Sequence, residues 1–155
     1  VPQGDLKEHG KKLYNDTLAV LRNAKKRFPN LQMVYLSSRI YGGYSTGALN
    51  PEPYAYESAF VVRWLILDQI KGEPALNCDS QRGPVQVPVL VWGPYLWANG
   101  QTPRKADGLV WTRDDLAGDA VHPSLSGRQK VARMLLDFFK NDPLARPWFV
   151  KPQQR

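Results

Sequence analysis

The chain has 155 residues, 43% of them apolar and 23% charged, the balance of one globular domain spanning 1–155 around one core. No run approaches the roughly eighteen apolar residues that a bilayer-spanning helix needs, so no membrane partner is expected. The net charge of +7 is gathered at the ends: residues 1–30 hold seven Lys/Arg against three acids and 128–155 seven against two, while 31–127 hold seven against nine. That is how solvated helix faces look, and no nucleic-acid motif accompanies them, so no nucleic acid is expected either.

The lone cysteine, Cys78, permits no internal disulfide, and two histidines form no zinc-like cluster, so neither a metal nor a cofactor is expected. Val1 opens into a polar segment without the pattern of a secretory leader; a leader removed from a precursor would make the protein secreted or periplasmic, and the localisation stays open.

In chain order, Leu6, Leu13, Tyr14, Leu18, Leu21, Ala24 and Phe28 recur at the spacing of a helix with one buried face, over Asp5 to Arg27. The proline of "FPN" ends it, and "LQMVYLSS" reads as a buried strand. "RIYGGYSTGALNPEPYAYES" is too rich in Gly, Pro and Tyr for either periodicity and reads as a loop at that strand's C-terminal end. A second helix runs from about Ala55 to Lys71, with Phe60, Val61, Trp64, Leu65 and Ile70 in its pattern, and stops at Gly72.

"VQVPVLVWGPYLW" is a second strand, beginning near Pro88 and broken by Gly93-Pro94. Residues 98–118 read as loop with a small hairpin at Leu109 to Trp111. A last helix over Ser126 to Lys140 turns Val131, Met134, Leu135, Phe138 and Phe139 inward, and the tail docks through Trp148 and Phe149. Alternating helices and strands predict an α/β fold with a parallel sheet and flanking helices. Two strands are few for three such helices, since a mean sheet has five or six, so the chain reads as part of a doubly wound, flavodoxin-like domain.

The chemistry concentrates in "GDAVHPSLSG". Asp119 and His122 stand three apart before the last helix, where a carboxylate can orient an imidazole that accepts a nucleophile's proton. Without structural context the same pair reads more readily as a turn-capping aspartate and a surface histidine.

"DAVHPSLSGRQKVARMLLDFF" resembles the last conserved block of the SGNH (GDSL-type) hydrolases, in which an Asp-x-x-His-Pro-Ser stretch precedes the C-terminal helix. The remainder, with "YLSSRIYGGY", "LNPEPYAYES" and "VWGPYLWANG", is similar to the C-terminal half of larger bacterial SGNH-like proteins. The resemblance implies a carboxylesterase acting on small esters, with His122 as general base and Asp119 as its orienter. The family's nucleophilic serine and its oxyanion-hole glycine and asparagine belong to earlier blocks, and no Gly-Asp-Ser block occurs in these 155 residues.

Local substitutes for the nucleophile are Ser37 and Ser38 at the first strand's end, the edge where such sites form, and Ser45 in the following loop. No Gly-x-Ser-x-Gly elbow surrounds them. Tyr41, Gly43, Tyr44 and Asn50 in the tyrosine-rich loop, with Trp92 and Tyr95 at the second strand's end, are the candidate substrate-binding residues. The tyrosines read equally as a loop burying its own rings, Trp92 and Tyr95 more readily as aromatics packed in the core or under that loop, and Arg39 as a structural partner of Glu52 or Glu57.

The rival reading is a non-catalytic fragment or ligand-binding module built on that loop. Either way, a partial sheet leaves an unpaired strand edge, which predicts a homo-oligomer or association with a missing N-terminal half.

Overall fold

The structure, a computed structural model, describes residues 6–48 and 51–150. Helix α1 covers Leu6–Arg27, strand β1 Met33–Leu36, helix α2 Tyr54–Lys71, strand β2 Val89–Trp92, helix α3 Leu125–Asn141 and the short helix α4 Arg146–Phe149. β1 and β2 pair in parallel, Met33 opposite Val89 through Leu36 opposite Trp92, joined by a crossover through α2. This is the predicted α/β arrangement, with a two-stranded parallel sheet among the described residues.

The pleat sends Val34, Leu36 and Leu90 to one face of the sheet, where they meet Leu21 of α1 and Val61, Val62, Leu65 and Ile66 of α2. On the other face the Tyr35 ring stands edge-on to Phe138 and Phe139 of α3, 5.3 and 5.6 Å between centroids. Its hydroxyl donates to Asp142 Oδ1 at 2.9 Å. Helices therefore cover both faces. α1 and α2 form the buried side; on α3 Val131, Met134, Leu135, Phe138 and Phe139 point inward as predicted but are only half covered.

α2 ends where Gly72 takes a left-handed φ of 88°, a conformation that costs glycine nothing. Its buried stripe is Val61, Val62, Leu65 and Ile66, whereas Ile70, predicted inward, is 73% exposed in the last turn. Leu13 of α1 and Phe28, just beyond its end, likewise stay exposed. The hairpin expected at Leu109 to Trp111 does not form: the segment is irregular, and Trp111 donates its backbone N–H to Gly100 O at 2.8 Å. Trp148 touches Phe139 and Phe149 yet remains 64% exposed.

The two sheet edges differ. Val89 N–H donates to Gln32 O and Gly93 N–H to Leu36 O, so the even-numbered residues of β1 face β2 and Met33, Tyr35 and Ser37 face outward. On that outward side β1 finds no backbone partner among the described residues. The outer side of β2 is closed by one side chain: Gln69 accepts from Leu90 N–H at 2.8 Å and donates to Pro88 O and Leu76 O, each at 3.1 Å. Among the described residues no helix is long and apolar enough to cross a membrane.

Candidate functional site

The loops that follow the two strands meet at the C-terminal edge of the sheet. Ser38, just past β1 and 4% exposed, receives the Leu96 and Trp97 N–H groups on its hydroxyl at 2.8 and 3.2 Å, which ties the two loops together. Tyr44 donates to Trp111 O at 3.0 Å, and Trp111, fully buried, donates its indole N–H to Leu96 O at 2.9 Å. This knot fixes the height at which the chain enters α3.

The entry itself hangs on Asp115. Thr112-Arg-Asp-Asp115 forms a capping box, in which Asp115 Oδ2 accepts from Thr112 N–H at 2.9 Å and from its hydroxyl at 3.1 Å. Lys130 of α3 donates to the same oxygen at 2.5 Å and to Val110 O at 2.9 Å, with its ammonium 5.1 Å from the centre of the Trp111 ring. Burial pushes the Asp115 carboxyl up, but the bonds from Lys130 and Thr112 outweigh it and hold the group below the usual carboxylate range.

Gly127 lies against the Asp115 carbonyl, where a β-carbon would collide with backbone, so α3 can approach only with glycine there. Ser124 caps α3 by accepting from Gly127 N–H at 3.4 Å, and its own hydroxyl donates to Asp114 O at 2.6 Å.

Between these anchors runs the turn that carries the Asp–His pair. Leu116 and Pro123 form an antiparallel bridge, Ala117 N–H donates to His122 O at 2.7 Å, and Ala120 turns the chain at a φ of 58°. Arg113 braces the turn from outside by donating to the carbonyls of Leu116, Ala117 and Gly118 at 3.1, 2.8 and 3.1 Å. Asp119 Oδ1 accepts from the Val121 and His122 N–H groups, both at 3.0 Å, which fixes the carboxylate. Its other oxygen lies 2.6 Å from His122 Nδ1.

That bond to His122 comes first, and the two backbone N–H groups second, in holding the Asp119 carboxyl well below the usual carboxylate range. An ionised carboxylate on Nδ1 selects the tautomer that leaves Nε2 with a lone pair. His122 is 70% exposed at the side chain and Asp119 49%, so Nε2 stands open to an incoming group. Among the described residues no hydroxyl donates to it.

The expected serines lie elsewhere in the knot. Ser38 is enclosed as an acceptor of two backbone bonds, Ser37 packs its hydroxyl against Gly93, and Ser45 donates to Gly47 O at 3.5 Å.

The tyrosine-rich loop packs largely on itself. Tyr41 stands edge-on to Tyr44 at 5.2 Å and presses on Gly43. Glu52 is the hub: its Oε1 accepts from Gly42 N–H and the Trp97 indole at 2.9 and 2.8 Å, and its Oε2 from Tyr56 N–H at 3.0 Å. Arg39 therefore pairs with neither carboxylate expected for it: Glu52 is occupied by these three donors, and Glu57 faces His9 at 2.9 Å. Trp92 and Tyr95 are 41% and 37% exposed at the end of β2, with the Arg104 guanidinium 5.3 Å over the Tyr95 ring. Asn50 lies outside the described residues.

Comparison with known family models, with curated proteins and with solved structures finds no match to this chain. What the sequence missed is the support: Asp115, Arg113 and Lys130. The Thr-x-x-Asp spacing of the capping box was its only local trace, because Lys130 lies fifteen residues downstream of the carboxylate it holds.

Proposed function

We propose that this chain carries the acid–base half of a serine hydrolase of the SGNH type, acting on ester bonds of small molecules. The observation that carries the reading is the 2.6 Å contact between Asp119 Oδ2 and His122 Nδ1, on a doubly braced turn at the C-terminal edge of a parallel sheet, with Nε2 open. In this reading a serine Oγ attacks the ester carbonyl and passes its proton to His122 Nε2. Asp119 stabilises the imidazolium, and the proton goes on to the leaving alkoxide as the tetrahedral intermediate collapses. Water, activated by the same imidazole, then releases the acid and restores the serine.

The fold assigned to this activity is a doubly wound sheet of which β1 and β2 are two neighbouring strands. Helices on both faces and the unpaired outer edge of β1 support it. The nucleophile comes from a polypeptide segment that pairs with that edge, supplied by a second chain or by a further part of the same one.

The test is hydrolysis of short-chain aryl esters by wild type and His122→Ala, alongside labelling by a fluorophosphonate. A loss of about 10³-fold or more in kcat/KM, with the melting temperature unchanged, is expected for an assembled site. Equal rates exclude His122 as the base.

The second reading, a non-catalytic module, draws on the absence of a hydroxyl donor to His122 among the described residues. It predicts no serine adduct in any folded, assembled sample.

A further inference from the structure

Apart from the His122 turn, a cavity of about 300 Å³ opens between the N-terminal halves of α1 and α2, beside the residue that follows Ser38. Its walls divide by chemistry. Leu13, Val61 and the ring of Tyr54 supply an apolar side, while Arg39, His9 and Glu57 supply a polar one.

The polar side is incompletely satisfied. His9 Nδ1 lies 2.9 Å from Glu57 Oε2, but the ring N–H does not aim along that line. Both ring nitrogens and that oxygen are shut off from solvent without a hydrogen-bond partner among the described residues. A fold retains enclosed polar groups in this state where something that binds there satisfies them.

Charge points the same way. Lys12 on the rim is neutralised by Asp16 at 2.5 Å, and Glu57 faces His9. Glu52 is taken up by three other donors. The Arg39 guanidinium is the cation of this cavity left without a counter-charge among the described residues.

We propose that this cavity binds a small organic monocarboxylate, its carboxylate on Arg39 and its apolar body against Leu13, Val61 and Tyr54. The guanidinium fork matches the two oxygens of a carboxylate in one plane. A single unmatched cation, with Glu57 and Asp16 close by, disfavours a dianion such as phosphate. The volume sits at the lower end of the range for small-molecule sites and suits a molecule of benzoate or hexanoate size. Neither Asp119 nor His122 lines the cavity, so the inference stands apart from the hydrolase reading.

The experiment is an amide NMR titration of the full chain with benzoate, its neutral isostere benzamide, and inorganic phosphate. Benzoate should shift amides of residues 9–16, 39 and 54–61 saturably, and benzamide and phosphate should each bind at least about tenfold more weakly. Arg39→Gln, a change at an exposed side chain that leaves the fold intact, should weaken benzoate by about tenfold or more. Leu13→Trp, which fills the apolar side from an exposed position, should abolish binding, and His122→Ala should leave it unchanged. Absence of saturable shifts, equal affinity for benzoate and benzamide, phosphate as tight as benzoate, wild-type affinity in Leu13→Trp, or loss of binding in His122→Ala overturns the proposal.

Discussion

Around Leu65, α1, α2 and the sheet close a core in which Leu65, Leu76 and Val87 are completely buried, whereas α3 buries only Gly127 and rests on the opposite face through half-covered side chains. The turn bearing Asp119 and His122 belongs to this second region. It is held by the capping box, the Arg113 brace and the Lys130 bond in addition to the buried side chains of Trp111, Leu116 and Ala120. The scaffold rests chiefly on packing, whereas the turn adds directional bonds to a smaller buried area. Hydrogen bonds set angles that burial alone leaves loose, so the turn holds the Asp119 and His122 side chains in one relation.

The sharpest way to break the contrast is from the core side. Leu65→Ala should lower the unfolding free energy by about 3–4 kcal/mol, read from the denaturant midpoint, while the Asp119–His122 contact survives in whatever remains folded. Asp115→Ala attacks the other region and leaves Lys130 without its carboxylate. A loss of about 3 kcal/mol is expected, concentrated locally, so that the Ala117 and Ser124 amides lose hydrogen-exchange protection before those of α2. Uniform loss of protection across both regions would show that the two halves unfold as one.

Two titrations sharpen the comparison further. Burial first, and the bond to Asp68 second, push the Tyr14 hydroxyl up to about 12. Because the folded state keeps that proton longer than the unfolded one, the contribution to stability is present below the ordinary tyrosine value and lost as pH rises from there toward 12. Tyr35, Tyr41 and Tyr95 are also pushed up by burial, so absorbance at 295 nm should show several tyrosines titrating late, and Tyr14→Phe should remove one tyrosine's worth of that late amplitude.

Asp119 runs the other way. Its carboxyl is depressed, so its contribution is present above the ordinary carboxylate range and lost as pH falls below it. Carboxyl NMR should find Asp119 still ionised where ordinary aspartates are half protonated, and His122→Ala should return it toward them.

The sequence made the scaffold legible because its elements announce themselves locally. "FPN", Gly72 and Pro88 bound the helices and strands closely, and Asp119 and His122 carry their relation in a spacing of three. Where reading by period went astray, the cause was an excess of apolar residues. α2 carries them nearly all round, so the period picked out Ile70, which is exposed, and passed over Ile66, which is buried. The support of the turn was invisible for a different reason: Asp115 meets Lys130, and Tyr44 meets Trp111, only through the folded loops. Glu52 and Arg39 show the limit of matching charges along a chain, since backbone and indole N–H groups claimed the carboxylate first.

The Gln69 side chain gives the small sheet a polarity. By occupying Leu90 N–H and Pro88 O it stands where another strand's peptide group would be, so β2 is a terminus and β1 a starting point. The outward side of β1, which leads on to Ser37 and Ser38, carries no such plug among the described residues. A single uncharged amide thereby takes up on β2 the kind of backbone groups that the outer side of β1 leaves without a backbone partner among the described residues.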